Sequence, residues 1–284
     1  MTLITEEILQ LGPRDGVVGL LSLATKDTTD LAVICLNAGV LHRVGPHRLH
    51  VDLGRRLARR GIPALRIDLS GIGDSRNLGA MSFRRSAVAD TQAAMDRLTE
   101  RLGVSRFVLF GLCSGADNAL ATASVDPRVG AIAVIDAYSY PTPRSQLRHV
   151  ARRVKAMDST KDALSWATRL AVGEARRRVV SLTRPQTKQT KETYRQGREI
   201  PPMEVFEQQI AGLLEHDGRM LAIYTGRQGA AYNHRDQLFE WFPHLRGRVD
   251  VRYVPEANHT FTELGPRRAM MDEVVAWITS LERR

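Results

Sequence analysis

Two short stretches of this chain hold residue types able to do nucleophilic chemistry. The first is VLFGLCSGA, Val108 to Ala116: an apolar run entering a glycine-flanked turn with Cys113 at its centre. In a Gly-x-Ser-x-Gly elbow the middle residue is the nucleophile, lifted above a sheet edge by a sharp strand-to-helix turn. Gly111 and Gly115 let the backbone bend without clash. A helix beginning at Ser114 aims its partial positive charge at the thiol, which favours the thiolate. The backbone N–H of Ser114 then serves as one oxyanion donor. The plain alternative is a buried cysteine in a packing turn, and Ser114, one register off, is the rival nucleophile. The second stretch is ANHTF, which carries His259. A histidine late in the chain, just after a strand expected at Val249–Tyr253, suits a base for an earlier nucleophile. Taken alone it would be an ordinary surface or core histidine.

These side chains need a scaffold, and the hydropathy pattern supplies one. Apolar runs at Gly16–Ala24, Leu31–Leu36, Ala64–Asp68, Phe107–Phe110, Ala131–Asp136, Met220–Tyr224 and Val249–Tyr253 read as strands. Helical spacing appears over His47–Arg60, Phe83–Leu102, Ser114 to about Ser124, and Pro266–Leu281. Alternating strands and helices predict an α/β protein with a mostly parallel sheet covered on both faces. From Pro141 to about His216 the alternation stops. Leu147, Val150, Val154 and Met157 suggest one helix there, and Leu164, Ala167, Leu170 and Ala171 a second. Thr183–Pro202 reads as a loop. The expected organisation is therefore a core of 1–140 and 217–284, with 141–216 as a helical lid or cap.

Charge singles out the same insertion. The 284 residues carry a net charge of +10, and Arg144–Glu199 alone holds fifteen Lys or Arg against five Asp or Glu, the whole surplus. An acidic carrier protein, a coenzyme A phosphate, an anionic glycan or a membrane surface would suit such a segment. Arg152 and Arg153 are its first candidates for anion binding, and a solvated charged face is the alternative. Aromatics for base stacking are sparse there, so nucleic acid is not an expected partner. No apolar run reaches the ~20 residues of a membrane span. The N-terminus resembles no signal peptide, and the two cysteines, Cys35 and Cys113, make no disulfide framework. A cytoplasmic protein is expected. The chain lacks GxGxxG, which argues against a dinucleotide-binding protein, and the chemistry calls for no metal or cofactor.

The run NAGVLHRVGPHRLHVDLGRRLARRGIPALRIDLSGIGDS, Asn37 to Ser75, together with FGLCSGA and ANHTF, resembles the α/β-hydrolase superfamily. Within it, the chain is similar to exosortase-associated hydrolases, which carry an RVGxHR stretch, a DxxGxGDS turn, a GLC elbow and a DHTF-like histidine. The likeness covers Gly16–Tyr138 well and the chain from Leu221 onward moderately, and it covers the insertion little. It implies an α/β-hydrolase fold, a cysteine or serine nucleophile, a histidine base and an ester or thioester acyl substrate. It also implies a setting of surface polysaccharide or protein sorting. In this arrangement LNAGV, Leu36–Val40, supplies the second oxyanion donor, assigned here to the Val40 N–H. Arg43 and His47 in the RVGPHR stretch either touch an anionic substrate or anchor the loop. Asp68, Gly71, Gly73 and Ser75 read as a structural turn.

One position departs from the family pattern. After the strand Met220–Tyr224 the family reads like SGRD, with the aspartate orienting the histidine, whereas this chain reads TGRQG and places Gln228 there. A glutamine accepts a hydrogen bond but carries no charge to stabilise imidazolium. The acid is therefore expected at Asp136, at the end of the strand after the elbow, ahead of Gln228 and of Asp236 in the next helix. Two functions follow. One is an acyl-transfer enzyme, hydrolase or acyltransferase, in which Cys113 attacks an ester or a carrier- or CoA-bound thioester and His259 moves the proton. The other is a non-catalytic binding or scaffold protein that kept the fold and lost the triad acid.

Overall fold

The computed structural model describes residues 2–12, 16–25, 29–77, 82–156, 168, 198 and 200–282. Eight strands form one sheet: β1 (Ile4–Leu11), β2 (Val17–Ala24), β3 (Leu31–Leu36), β4 (Ala64–Asp68), β5 (Arg106–Leu112), β6 (Val129–Ile135), β7 (Arg219–Thr225) and β8 (Val249–Val254). Their spatial order is β1-β2-β4-β3-β5-β6-β7-β8. β2 runs antiparallel to both of its neighbours, and every other pairing is parallel. The strands β3 and β5 at the centre are apolar almost throughout, β4 carries the charged Arg66 and Asp68, and all three are buried almost throughout, as befits strands covered on both faces.

The helices divide between those faces. α1 (Leu49–Ala58) and the C-terminal α7 (Leu264–Leu281) share one core cluster, in which Leu53, Leu57, Val274 and Ile278 pack on Val33, Val108 and Ala133. α2 (Phe83–Leu102), α3 (Ser114–Ala123) and α5 (Met203–Glu215) share the other, where Met95, Leu120, Phe206 and Ile210 cover Ile34, Leu109 and Ile132. A helix α4 (Pro143–Lys155) and a short α6 (Leu238–Trp241) complete the described helices.

Most expected elements are present within a residue or two. Two additional ones emerge. β1 is an edge strand in which Glu6 and Glu7 interrupt the apolar pattern, and Glu6 is held by Arg55 and the buried Arg66. Charges on an edge strand are a common device against edge-to-edge pairing. α5 buries Phe206, Ile210 and Leu213 in the main core, although the sequence groups it with the insertion. α4 opens on a reciprocal cap between Thr142 and Ser145, Ser145 N donating to Thr142 Oγ1 at 3.0 Å and Thr142 N to Ser145 Oγ at 2.9 Å. The helix expected at 164–171 and most of the polar stretch 183–202 lie outside the described residues. No helix among the described residues is long and apolar enough to cross a membrane.

Sheet order decides where a ligand can sit. From β3 the chain steps to β4 on one side and then to β5 on the other, so the strand order reverses between β3 and β5. In open α/β sheets that reversal opens a crevice at the carboxyl ends of the strands. The segments following β3, β5 and β6 converge there.

Candidate active site

The elbow is built by close approach. A Cβ on Gly111 would lie 2.2 Å from the Gly115 backbone, and one on Gly115 would lie 2.7 Å from the Asn37 carbonyl oxygen. Only glycine at both positions lets α3 start directly over β5 and beside β3. Between them Cys113 adopts φ 58°, ψ −120°, a conformation that L-residues rarely hold. Such strain costs on the order of 1–3 kcal/mol and persists only where the surroundings impose it. Here they do: Cys113 N–H donates to the Ile135 carbonyl at 3.0 Å, while its own carbonyl accepts from Ala116 and Asp117. The thiol is left half-buried at the head of α3.

His259 and Asp136 meet at this head. Asp136 follows β6, is fully buried, and also has positive φ, at 48°. Its Oδ2 lies 2.7 Å from His259 Nδ1. Thr225, the last residue of β7, donates to the same carboxylate twice, from its N–H to Oδ1 and from its hydroxyl to Oδ2, each at 2.8 Å. These contacts fix the carboxylate, and through it the tautomer and ring direction of the imidazole. With Nδ1 engaged, the other ring nitrogen is the one left for Cys113, whose thiol the imidazole draws toward the thiolate.

Electrostatics favour an ion pair between the two. The Asp136 hydrogen bond, then that of Cys113, lifts the His259 pKa from 6.5 to about 9 despite partial burial. For Cys113, burial is the largest influence and pushes the thiol up. The interaction with His259 and the charges of Arg198 and His259 act against it, and the net direction is down. Cys35 is the contrast: inside β3 and fully buried, its thiol is pushed up to about 12.

Arg198 is the residue that sequence reasoning missed. It sits at the end of the basic stretch and offered no signal beyond its charge. Its guanidinium forks onto the two oxygens of Asp117, donates to the Asp136 carbonyl at 2.9 Å, and lies 4.7 Å from the ring centroid of Tyr138. Asp117 itself, one turn into α3 from Cys113, is a buried carboxylate that needs such a partner.

The turn after β3 lies across from the elbow. Asn37 Nδ2 donates to the Leu41 carbonyl at 2.8 Å and to Asp68 Oδ1 at 3.2 Å, while its Oδ1 accepts from Leu69 N–H. Gly39 N–H donates to Ser114 Oγ at 2.7 Å. Ser114 thus lends its hydroxyl to the turn as an acceptor. The backbone N–H groups of Val40 and Ser114 have no hydrogen-bond partner among the described residues. Two donors of this kind beside a nucleophile are what a developing oxyanion requires.

Other sequence candidates fall elsewhere. Arg43 anchors the loop, its guanidinium bridging the buried Asp68 and the exposed Asp74. Asp236 is exposed, pairs with Arg246 at 3.2 Å, and does not orient His259. Gln228 ends a short turn, Gly226–Gln228. That turn packs against the loop before His259: a Cβ on Gly226 would lie 1.9 Å from the Pro255 carbonyl, and Gly226 N–H donates to Ala257. The TGRQ stretch therefore docks the loop that carries His259, while the carboxylate comes from Asp136. The scaffold reading rested on Gln228 and loses that support. His47 is exposed, with Nε2 3.4 Å from Thr262 Oγ1, on the histidine loop. Arg152 is tied to the core through Tyr253 Oη at 3.4 Å and the Asn233 carbonyl at 3.1 Å, and Arg153 is exposed on α4.

The strand order, the elbow after β5 and the late histidine define an α/β-hydrolase fold. Solved structures bear this out. The chain is similar to an α/β serine hydrolase without lid from Xanthomonas campestris (13% identity, 96% of this chain and 94% of that chain, TM-score 0.55). It is likewise similar to an esterase of Pyrococcus furiosus (14%, 98% and 91%, TM-score 0.57) and to an α/β serine hydrolase homologue from Coxiella burnetii (13%, 97% and 97%, TM-score 0.56). No family model matches the chain, and no curated protein does.

Proposed function

We propose that this chain is an acyl-transfer enzyme that uses Cys113 as nucleophile, His259 as base and Asp136 as the acid that orients it. The observation that carries the reading is the 2.7 Å contact between Asp136 Oδ2 and His259 Nδ1, made beside the strained elbow that presents Cys113. Esterases and serine hydrolases among its structural neighbours support acyl chemistry of this general kind.

The steps follow from the groups in place. The Cys113 sulfur attacks the acyl carbon, and the carbonyl electrons move onto oxygen, where the Val40 and Ser114 N–H groups receive them. The tetrahedral adduct collapses, the bond to the leaving group breaks, and imidazolium gives its proton to a leaving alcohol. A thiolate leaving group needs that proton less. The acyl-cysteine is then attacked by water or an acceptor hydroxyl, with His259 taking the proton, and the second tetrahedral adduct collapses as the C–S bond breaks and Cys113 leaves as thiolate. Water makes the protein a hydrolase and an acceptor makes it an acyltransferase. A thiol nucleophile suits a thioester donor, since thiol and thioester exchange at similar energies. The basic α4 then offers a docking face for a coenzyme A or acidic carrier-protein donor.

Intact-mass spectrometry after incubation with a panel of acyl thioesters tests the reading. An acyl adduct mapped to Cys113, absent from Cys113→Ala, is expected. Neither adduct nor turnover across the panel would refute it.

A further inference from the structure

We propose that Arg198 is a positioning residue of the Cys113 site: it braces the elbow helix against the acid turn and sets a permanent positive charge beside the sulfur. The proposal rests on reading Cys113 as the nucleophile. The brace is direct. One guanidinium reaches Asp117 on α3 and the backbone carbonyl of Asp136, the residue whose carboxylate holds His259. Both Cys113 and Asp136 sit at strained positive φ, at 58° and 48°, and Arg198 ties the elements carrying them to each other. Tyr138 closes the arrangement from below: its ring faces the guanidinium, and its hydroxyl accepts from Arg84 Nη2 at 3.0 Å.

His259 approaches from the loop after β8, Asp117 from α3 and Arg198 from the end of the insertion, with Tyr138 and Arg84 behind them and Asp136 behind the imidazole. Asp117 opposes the thiolate and Arg198 favours it, and of the two Arg198 acts more strongly on the sulfur. An arginine keeps its charge at any working pH, whereas His259 loses its own near pH 9. Arg198 thus supplies the part of thiolate stabilisation that does not titrate, and it offsets the buried Asp117 that would otherwise oppose it.

The test reads the thiol and not turnover. The rate of Cys113 alkylation by iodoacetamide is measured against pH, by peptide mass spectrometry, in the full-length protein and in Arg198→Gln, Arg198→Lys and Asp117→Asn. Arg198→Gln should move the midpoint up by about one pH unit, the low end of what a nearby opposite charge does. That slows alkylation at neutral pH about tenfold. Arg198→Lys, which keeps the charge and loses the fork, should stay near the wild-type midpoint. Asp117→Asn should move it down. A midpoint unmoved in both Arg198→Gln and Asp117→Asn, or Arg198→Lys displaced as far as Arg198→Gln, would overturn the proposal and leave Arg198 a plain brace. Should Arg198→Gln lose its native circular dichroism, the other two variants decide: Lys at the wild-type midpoint with Asn below it supports the proposal, and any other pair of results refutes it. Loss of the acyl adduct with these shifts intact would instead refute the acyl-transfer reading alone.

Discussion

Asp136 Oδ2 lies 2.7 Å from His259 Nδ1, and Thr225 donates to the same buried carboxylate from its N–H and its hydroxyl, both at 2.8 Å. The acid comes from the end of β6, and the end of β7 contributes the threonine that holds it. Asp136→Asn should therefore lower kcat by more than about tenfold. The loss should stay below the ~10⁴ seen when a serine triad loses its acid, since a thiol is the stronger nucleophile. Gln228→Ala should stay within a few-fold of wild type. Steady-state kinetics of the two variants side by side decide between the positions, and the reverse order would assign the acid role to Gln228.

The raised His259 pKa sets the alkaline behaviour. Its folded value of about 9 lies above the ordinary 6.5, so the imidazolium is stabilised in the native protein. With an ester substrate, whose leaving alkoxide needs a proton, kcat/KM should fall as pH rises through about 9. With a thioester of the same acyl group the fall should be shallower. The same shift bears on stability: the increment is complete below about pH 6.5 and is lost as pH rises through about 9. The difference in Tm between wild type and His259→Gln should accordingly shrink across that window.

The two thiols should differ sharply in reactivity. Cys113 is half-exposed with a lowered pKa, and Cys35 is fully buried with its thiol at about 12. Iodoacetamide at neutral pH should label Cys113 and leave Cys35 unmodified until the protein unfolds, as read by peptide mapping. Ser114→Ala should keep Cys113 labelling and turnover, since the Ser114 hydroxyl serves the Gly39 N–H. An inactive Ser114→Ala beside an active Cys113→Ala would reassign the nucleophile.

Gly111 is expected to tolerate no side chain. A Cβ there would lie 2.2 Å from the backbone of Gly115, which cannot move without lifting α3 from β5. Gly111→Ala should destabilise by several kcal/mol, the range of severe backbone and packing conflicts. A thermal melt within a few degrees of wild type would contradict this.

The basic face of α4 should govern carrier-bound substrates only. Arg152 is tied to Tyr253 and Asn233, and Arg148 lies 3.6 Å from Glu240. Arg144 and Lys155 are exposed cations on the same helix. Changing both to Glu should raise KM several-fold for a carrier-protein thioester and spare a small neutral ester. Equal effects on both would dismiss a docking role.

The elements and the elbow were legible in the sequence because their causes are local. Continuous apolar runs make buried parallel strands, 3.6-residue spacing makes helices, and Gly111-Leu-Cys-Ser-Gly115 makes a turn in which only its central residue can stand above the sheet. β1 escaped because Glu6 and Glu7 serve partners across the fold, Arg55 and Arg66 among them, and so break the local pattern. Only the tertiary structure brought Asp136 against His259, since the two are 123 residues apart and a carboxylate's neighbours depend on which strand end it occupies. It also showed Arg43 paired with Asp68, because that buried carboxylate demands a counter-charge. Arg198 became visible in the same way: 81 residues separate it from Asp117, and a charge among fifteen basic residues acquires a role only when folding buries it beside a carboxylate and a thiol.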